Sequence, residues 1–386
     1  MAPQKPFEKD SFYGKEFYSD DHFLPASDED CLFLNIWAPK ERAGGAPVAI
    51  WIHGGAFDHG FGSEMEFDGE AFARRGVVLV TVNYRVGVLG FLAHPALSQE
   101  QGGHSGNYGI LDQIAALEWV RENISSFGGD PQNITLFGQS AGAMSVQTLV
   151  SSPLTEGKIA KAIMQSGGGY DSMCQDLPLS EAEKTGEKFA RYVGATLEEL
   201  RRMPAQEVAQ WGLQFAEQVS AEPGAPMLIW LPVQFDGYVM PKGYRETVDL
   251  GLCRQIPYMA GCTSQDIGTD PQTSGEPECS PLLQGCVEWC KRQSILSGEP
   301  NYAYYFQRCL PGDDAGAFHS SELWYIFGTL DRCWRPMTDA DRALSQRMTD
   351  AWCAFMHTGD PDPANMLGWR ACTSKEPFVY RWDIQG

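Results

Sequence analysis

Ser140 lies at the centre of Gly138-Gln139-Ser140-Ala141-Gly142, with a glycine two positions to either side. In a chain with 41 glycines that pentapeptide alone is weak, so its context has to carry the argument. NITLF (133–137) before it is a strand-like apolar run, and AMSVQTLVSS (143–152) after it is helix-forming. A serine on such a sharp strand-to-helix turn projects its hydroxyl above the edge of a sheet. Small neighbours let the two segments approach closely, and the helix N-terminus favours negative charge developing beside it.

A hydroxyl is a weak nucleophile at neutral pH, so a base has to take its proton. His319 and His357 are the histidines beyond the later strand-like runs. His319 follows YAYYFQRC in the loop PGDDAGAFHSSELWYIF, at the expected sheet edge, whereas His357 falls near a helix end in WCAFMHTGD. The spacing therefore assigns the base to His319, and His357 to complementing a helix C-terminus. The acid that holds the imidazole tautomer is expected from TSQDIGTD, after IPYMAGC, where Asp266 comes first and Asp270 is the alternative. AIWIH runs into Gly54-Gly55-Ala56-Phe57, a small-residue turn with exposed N–H groups. Gly55, Ala56 and Ala141 are the expected oxyanion donors, with His53 buttressing the turn.

Positioning these groups requires a sheet. Strand-like runs fall at 48–53, 77–85, 133–138, 161–167, 256–262 and 302–309, each bounded by Gly, Pro or Asp. Helical stretches separate most of them, such as YGILDQIAALEWVREN (108–123). The alternation predicts an α/β domain with a mostly parallel sheet covered on both faces. Consecutive helices over about 178–220 read as an insertion, either a cap over a pocket or plain surface packing. Ser180 with Glu183, and Thr196 with Glu199, have capping-box spacing.

The 386 residues fit one large α/β unit. A net charge of −21 argues against nucleic acid and against anionic membrane surfaces as partners. No apolar run is long enough to span a bilayer, and the first residues lack the apolar core of a secretory signal. Eleven cysteines, scattered and odd in number, point to a reducing cytoplasm. Cys286 and Cys290 share a helix face without a second pair or a nearby His, so they read as core thiols rather than metal ligands.

The longer motifs SDEDCLFLNIWAP (27–39), WIHGGAF (51–57), NYRVGVLGFL (83–92) and NYGILDQIAALEWVRENISSFGGDPQNITLFGQSAGA (107–143) have a family likeness. AIMQSG (162–167), GAFHSSELWYIFG (316–328) and FMHTGDP (355–361) continue it. Over nearly its whole length the chain resembles the type B carboxylesterases, the cholinesterase-like branch of the α/β-hydrolase fold. The resemblance implies ester hydrolysis through an acyl-enzyme, without metal or cofactor. Nucleophile, acid and base fall on Ser140, Asp266 and His319, and the oxyanion donors on Gly55, Ala56 and Ala141. Bacterial relatives of this type act on short-acyl esters, and some on hydroxycinnamoyl esters. Phe57, Phe61, Trp230, Phe235 and Trp324 are candidates for an apolar substrate pocket, with core packing as the alternative for each.

The chain departs from the family pattern at Gln139, where many relatives have Glu, and at Ala56, where a third glycine is common. Asp266 replaces the usual Glu, and Ile267 intervenes before Gly268. The family normally carries several tens of residues before its EDCL motif, and in extracellular relatives a cysteine there pairs with the one that falls here on Cys31. No cysteine precedes Cys31, which is therefore expected as a free buried thiol. The expectation is an exposed apolar face, and with it self-association, a possible homo-oligomer, or lower stability than full-length relatives. The alternative is that residues 1–26 fold back over that face. The segment's aromatic content, including Phe7, Phe12, Tyr13, Phe17, Tyr18 and Phe23, suits the second outcome. Rival readings are a catalytically silent binding or adhesion protein, and an amidase or acyltransferase using the same triad.

Overall fold

A computed structural model describes residues 1–41, 44–170, 176–222, 224, 229–270, 272–273 and 275–384. All six expected runs lie in one eight-stranded sheet. They form β2 (Ala46–Ile52), β3 (Val78–Val82), β4 (Gly129–Gln139), β5 (Lys161–Gln165), β6 (Tyr258–Thr263) and β7 (Asn301–Phe306). Two short edge strands complete it, β1 (Leu34–Trp37) and β8 (Val379–Trp382), in the order β1-β3-β2-β4-β5-β6-β7-β8. Only β1 runs antiparallel to its neighbour; every other pairing is parallel. Neither edge strand has a continuous apolar run, because each is only partly buried.

The central strands read as unbroken apolar runs because both of their faces are covered. Val48, Ile50 and Ile52 of β2 point into one core, while Ala49 and Trp51 point into the other. Successive side chains on a strand face opposite ways, so a strand between two helical layers must be apolar at every position. The helix Tyr108–Asn123 has the expected bounds and buries Ile110, Ile114, Leu117 and Val120 against the first core.

Three helices occupy the insertion, Leu179–Val193, Leu197–Leu200 and Ala205–Ser220. Thr196 and Glu199 form the expected capping box. Ser180 and Glu183 do not, because the helix starts two residues early, with Pro178 at the N-cap position. The insertion lies against residues 87–93: Gly212 packs beside Val88, and Gly186 beside the carbonyl of Ala93.

The amino-terminal residues fold back across the carboxyl edge of the sheet. The Met1 ammonium donates to the Ala26 carbonyl at 2.7 Å, and Phe7 stacks on Tyr18. Phe17 stacks on Trp324, and the fully buried Arg335 donates to Glu16 from Nε at 2.9 Å. The second of the two outcomes expected for this segment is therefore the one observed. Among the described residues ten cysteines are unpaired, Cys31, Cys286 and Cys290 among them and buried. No helix of the described residues is long and apolar enough to cross a membrane.

Candidate active site

In a parallel sheet the loops at the carboxyl ends of the strands converge, and there the predicted residues meet. β4 ends at Gln139, and the helix Ala141–Ser151 begins immediately after Ser140. Ser140 holds φ 56° and ψ −124°, a strained conformation for a residue with a side chain. Its N–H donates to the Gln165 carbonyl at 2.8 Å, which pins the turn to β5. A Cβ at Gly142 would collide with the Ile52 carbonyl of β2, so a glycine lets the helix sit this close to the sheet.

The loop after β2 comes against the same turn. A Cβ at Gly54 would lie 2.9 Å from the Gln139 carbonyl and 3.2 Å from Cβ of Ser140. Gly55, Ala56 and Phe57 follow with φ of 99°, 54° and 62°, a run of left-handed residues that turns the backbone sharply. Among the described residues the N–H groups of Gly55, Ala56 and Ala141 donate to no backbone carbonyl. Ala141 is the first residue of its helix, where the N–H has no intrahelical partner. His53 supports the loop: its Nδ1 donates to the Gly54 carbonyl at 2.8 Å, and its ring stacks on Tyr84. Burial lowers the His53 pKa to about 3, which keeps the ring neutral at ordinary pH.

The loops after β6 and β7 are joined by a bridge between Gln265 and Phe318, which sets the next residues, Asp266 and His319, side by side. His319 Nδ1 lies 2.6 Å from Asp266 Oδ1, both side chains being buried. Asp266 also accepts from the N–H and hydroxyl of Thr263, each at 3.0 Å, and from the N–H of Ile267 at 2.8 Å. Burial alone would raise its pKa, but the charge of His319 and these hydrogen bonds outweigh it and hold the carboxyl below its ordinary value. Burial would likewise lower the His319 pKa, and the Asp266 carboxylate reverses that and raises it. Asp270, the other candidate acid, is exposed and caps a turn by accepting from Gln272 N–H. His357 lies in the last turn of the helix Asp339–Thr358, against the Arg75 carbonyl.

Ser140, His319, Gly55 and Ala56 border one cavity of about 200 Å³. Its apolar wall is not the one expected. Tyr13, Phe17 and Tyr18 from the amino-terminal segment, with Phe67, Ile267 and Leu323, supply it, and Glu64 and Glu66 supply a polar end. None of the five aromatics singled out in the sequence borders this cavity. Phe57 packs on Phe91, Phe61 beside Phe7, and Trp230 among Phe189 and Phe215. Trp324 is fully buried behind Phe17, and Phe235 is exposed. The insertion at 178–220 contributes no residue to this lining. The sequence carried one cue to the true wall, the aromatic density before residue 26.

A sequence model described as the carboxylesterase family matches residues 2–274 and 285–386. The chain belongs to that family. It is 43% identical to fumonisin B1 esterase of Sphingopyxis macrogoltabida, over 92% of this chain and 73% of that protein. It is 33% identical to para-nitrobenzyl esterase of Bacillus subtilis (strain 168), over 90% of this chain and 78% of that one. A solved structure of a PNB esterase superposes with a TM-score of 0.83 at 30% identity, covering 99% of this chain and 84% of that one. A carboxylesterase of Geobacillus stearothermophilus gives 0.78 at 32% identity, covering 93% and 83%. The fold is thus the α/β-hydrolase fold, and the chain is a carboxylesterase-family ester hydrolase.

Proposed function

We propose that this carboxylesterase works through Ser140, His319 and Asp266 by way of an acyl-enzyme. The observation that carries the reading is the buried 2.6 Å contact between His319 and Asp266, bordering the cavity that Ser140 also borders. Asp266 holds the Nδ1–H tautomer, leaving the lone pair of Nε2 for the Ser140 proton. Ser140 Oγ attacks the ester carbonyl, and the charge forming on its oxygen meets the N–H groups of Gly55, Ala56 and Ala141. The imidazolium returns the proton to the departing alcohol oxygen as the C–O bond breaks. Water then repeats the cycle on the acyl-serine, releasing the acid and restoring Ser140.

The small cavity, with Tyr13, Phe17, Tyr18 and Phe67 in its lining, suits short-acyl or aromatic esters, including hydroxycinnamoyl esters. The ten unpaired cysteines support a reducing, cytoplasmic setting. The test is a panel of 4-nitrophenyl acetate, butyrate and decanoate with methyl hydroxycinnamates, run on the wild type and on Ser140→Ala. Hydrolysis of the short and aromatic esters, absent in the variant, is the expected result. Activity on none of them, or equal activity in the variant, would reject the reading.

A further inference from the structure

One edge of the sheet carries backbone groups that no strand takes up. β1 is the last strand on its side, bonded to β3 alone, with Asn35 opposite Thr81 and Trp37 opposite Leu79. The Asn83 N–H donates to the Phe33 carbonyl at 3.0 Å, so the odd-numbered residues here turn their backbone groups toward β3. The N–H and C=O groups of Leu34 and Ile36 therefore point away from the sheet. Such an edge is a template for another strand, and proline or charged side chains usually block it. Leu34-Asn35-Ile36-Trp37 has neither. Just before it, Leu32 and Phe33 are 53% and 59% exposed.

This edge is complementary to itself. Asp28, Glu29 and Asp30 precede the strand, and Lys40-Glu41-Arg42, net positive, follows it. Asp30 and Lys40 are exposed. A second copy running antiparallel brings the acidic end of each strand to the basic end of the other. A parallel copy would set like charges together. With a two-fold axis at Asn35, Leu34 of each copy lies opposite Ile36 of the other. These are the residues whose backbone groups face outward, so each such pair exchanges two N–H···O=C bonds. The next position along sets Phe33 opposite Trp37, a cross-strand aromatic pair. One symmetry operation thus serves the backbone, the aromatic rings and the charges.

We propose that β1 is a homodimer interface, where two copies pair antiparallel about Asn35 and continue one sheet through both chains. The inference is independent of the ester-hydrolase reading, since β3 and β2 stand between this edge and β4, which ends at Ser140.

Sedimentation velocity of the full chain, over about 1–100 µM, tests the proposal. A monomer–dimer equilibrium that moves to the dimer across this range is the expected result. Asp30→Lys or Lys40→Asp alone sets like charges together at both ends of the paired strands. Each should weaken the dimer about tenfold or more. The double variant restores opposite charges and should bind within about threefold of the wild type. Phe33→Lys should also weaken the dimer, by loss of the aromatic pair. Circular dichroism checks that every variant is folded. A wild type that stays monomeric throughout, or that forms a ladder of larger species, would overturn the proposal. So would a dimer indifferent to all three single substitutions, or one that the double variant fails to restore.

Discussion

The side-chain amide nitrogen of Gln139 lies 3.1 Å from Nε2 of His319, on the ring edge opposite Asp266. With Nδ1–H directed at Asp266, Nε2 is an acceptor, so the Gln139 amide donates to the lone pair that Ser140 needs. This contact favours the neutral ring, and it must yield when the Ser140 hydroxyl takes its place. A carboxylate at this position would favour the imidazolium instead. Gln139→Glu is therefore expected to move the acidic limb of the kcat/KM profile up by about one pH unit. An unmoved limb would show that the amide does not address the base during turnover.

Ser140→Ala and His319→Ala should each lower kcat by about 10³-fold or more, because the members of a triad act as a unit. Circular dichroism establishes that each variant is folded. A folded variant of either kind keeping over a tenth of wild-type kcat would remove that residue from the mechanism.

The two acidic candidates separate cleanly. Asp266→Asn should cost about 10³–10⁴ in kcat by presenting His319 in the wrong tautomer. Asp270→Asn should leave kcat near the wild-type value, since Asp270 is exposed and caps a turn away from His319. Side-by-side steady-state kinetics of the two variants decide it.

The pH dependence follows from the same pair. In the proposed mechanism neutral His319 is the base, and its pKa is raised above 6.5 because the Asp266 carboxylate overcomes the effect of burial. Activity should therefore rise with pH through a single midpoint above 6.5, later than for an unperturbed imidazole. Removing the carboxylate leaves burial, the largest influence and one that lowers a histidine pKa, opposed by the weaker effect of Glu322. The residual activity of Asp266→Asn should accordingly show its midpoint below 6.5, and a midpoint shifted upward would contradict this account.

The amino-terminal wall depends on a buried ion pair. Arg335 donates to Glu16 and to Asp313, and both Arg335 and Glu16 are almost wholly buried. Glu16→Ala leaves the guanidinium with Asp313 alone, so a loss of about 2–3 kcal/mol is expected rather than the full cost of an unpaired charge. Tyr13 and Phe17 ride on the same short helix, Phe12–Phe17, so KM should rise along with the fall in stability. Thermal melting and steady-state kinetics test the two effects. An unchanged melting temperature with unchanged KM would show that the segment is not part of the wall.

What the sequence by itself determined is whatever depends on neighbours along the chain. The turn at Ser140 needs small residues within two positions, and the central strands must be apolar at every position because they lie between two layers. Both are legible locally, and so is the Thr196–Glu199 cap. The order of Ser140, Asp266 and His319 along the chain was likewise readable, since each follows a recognisable strand. The sequence put Asp266 ahead of Asp270 by its place in the loop and by the family's pattern. The contact of Asp266 with His319 depends on the bridge from Gln265 to Phe318, which spans distant segments. The cavity wall was decided in the same way. An aromatic residue in a sequence looks alike whether it faces a core or a cavity, so Phe57 and Trp324 could not be told from Tyr13 and Phe17. Only the fold-back of residues 1–26, held by Glu16 and Arg335, placed the second pair beside Ser140 and the first behind the wall.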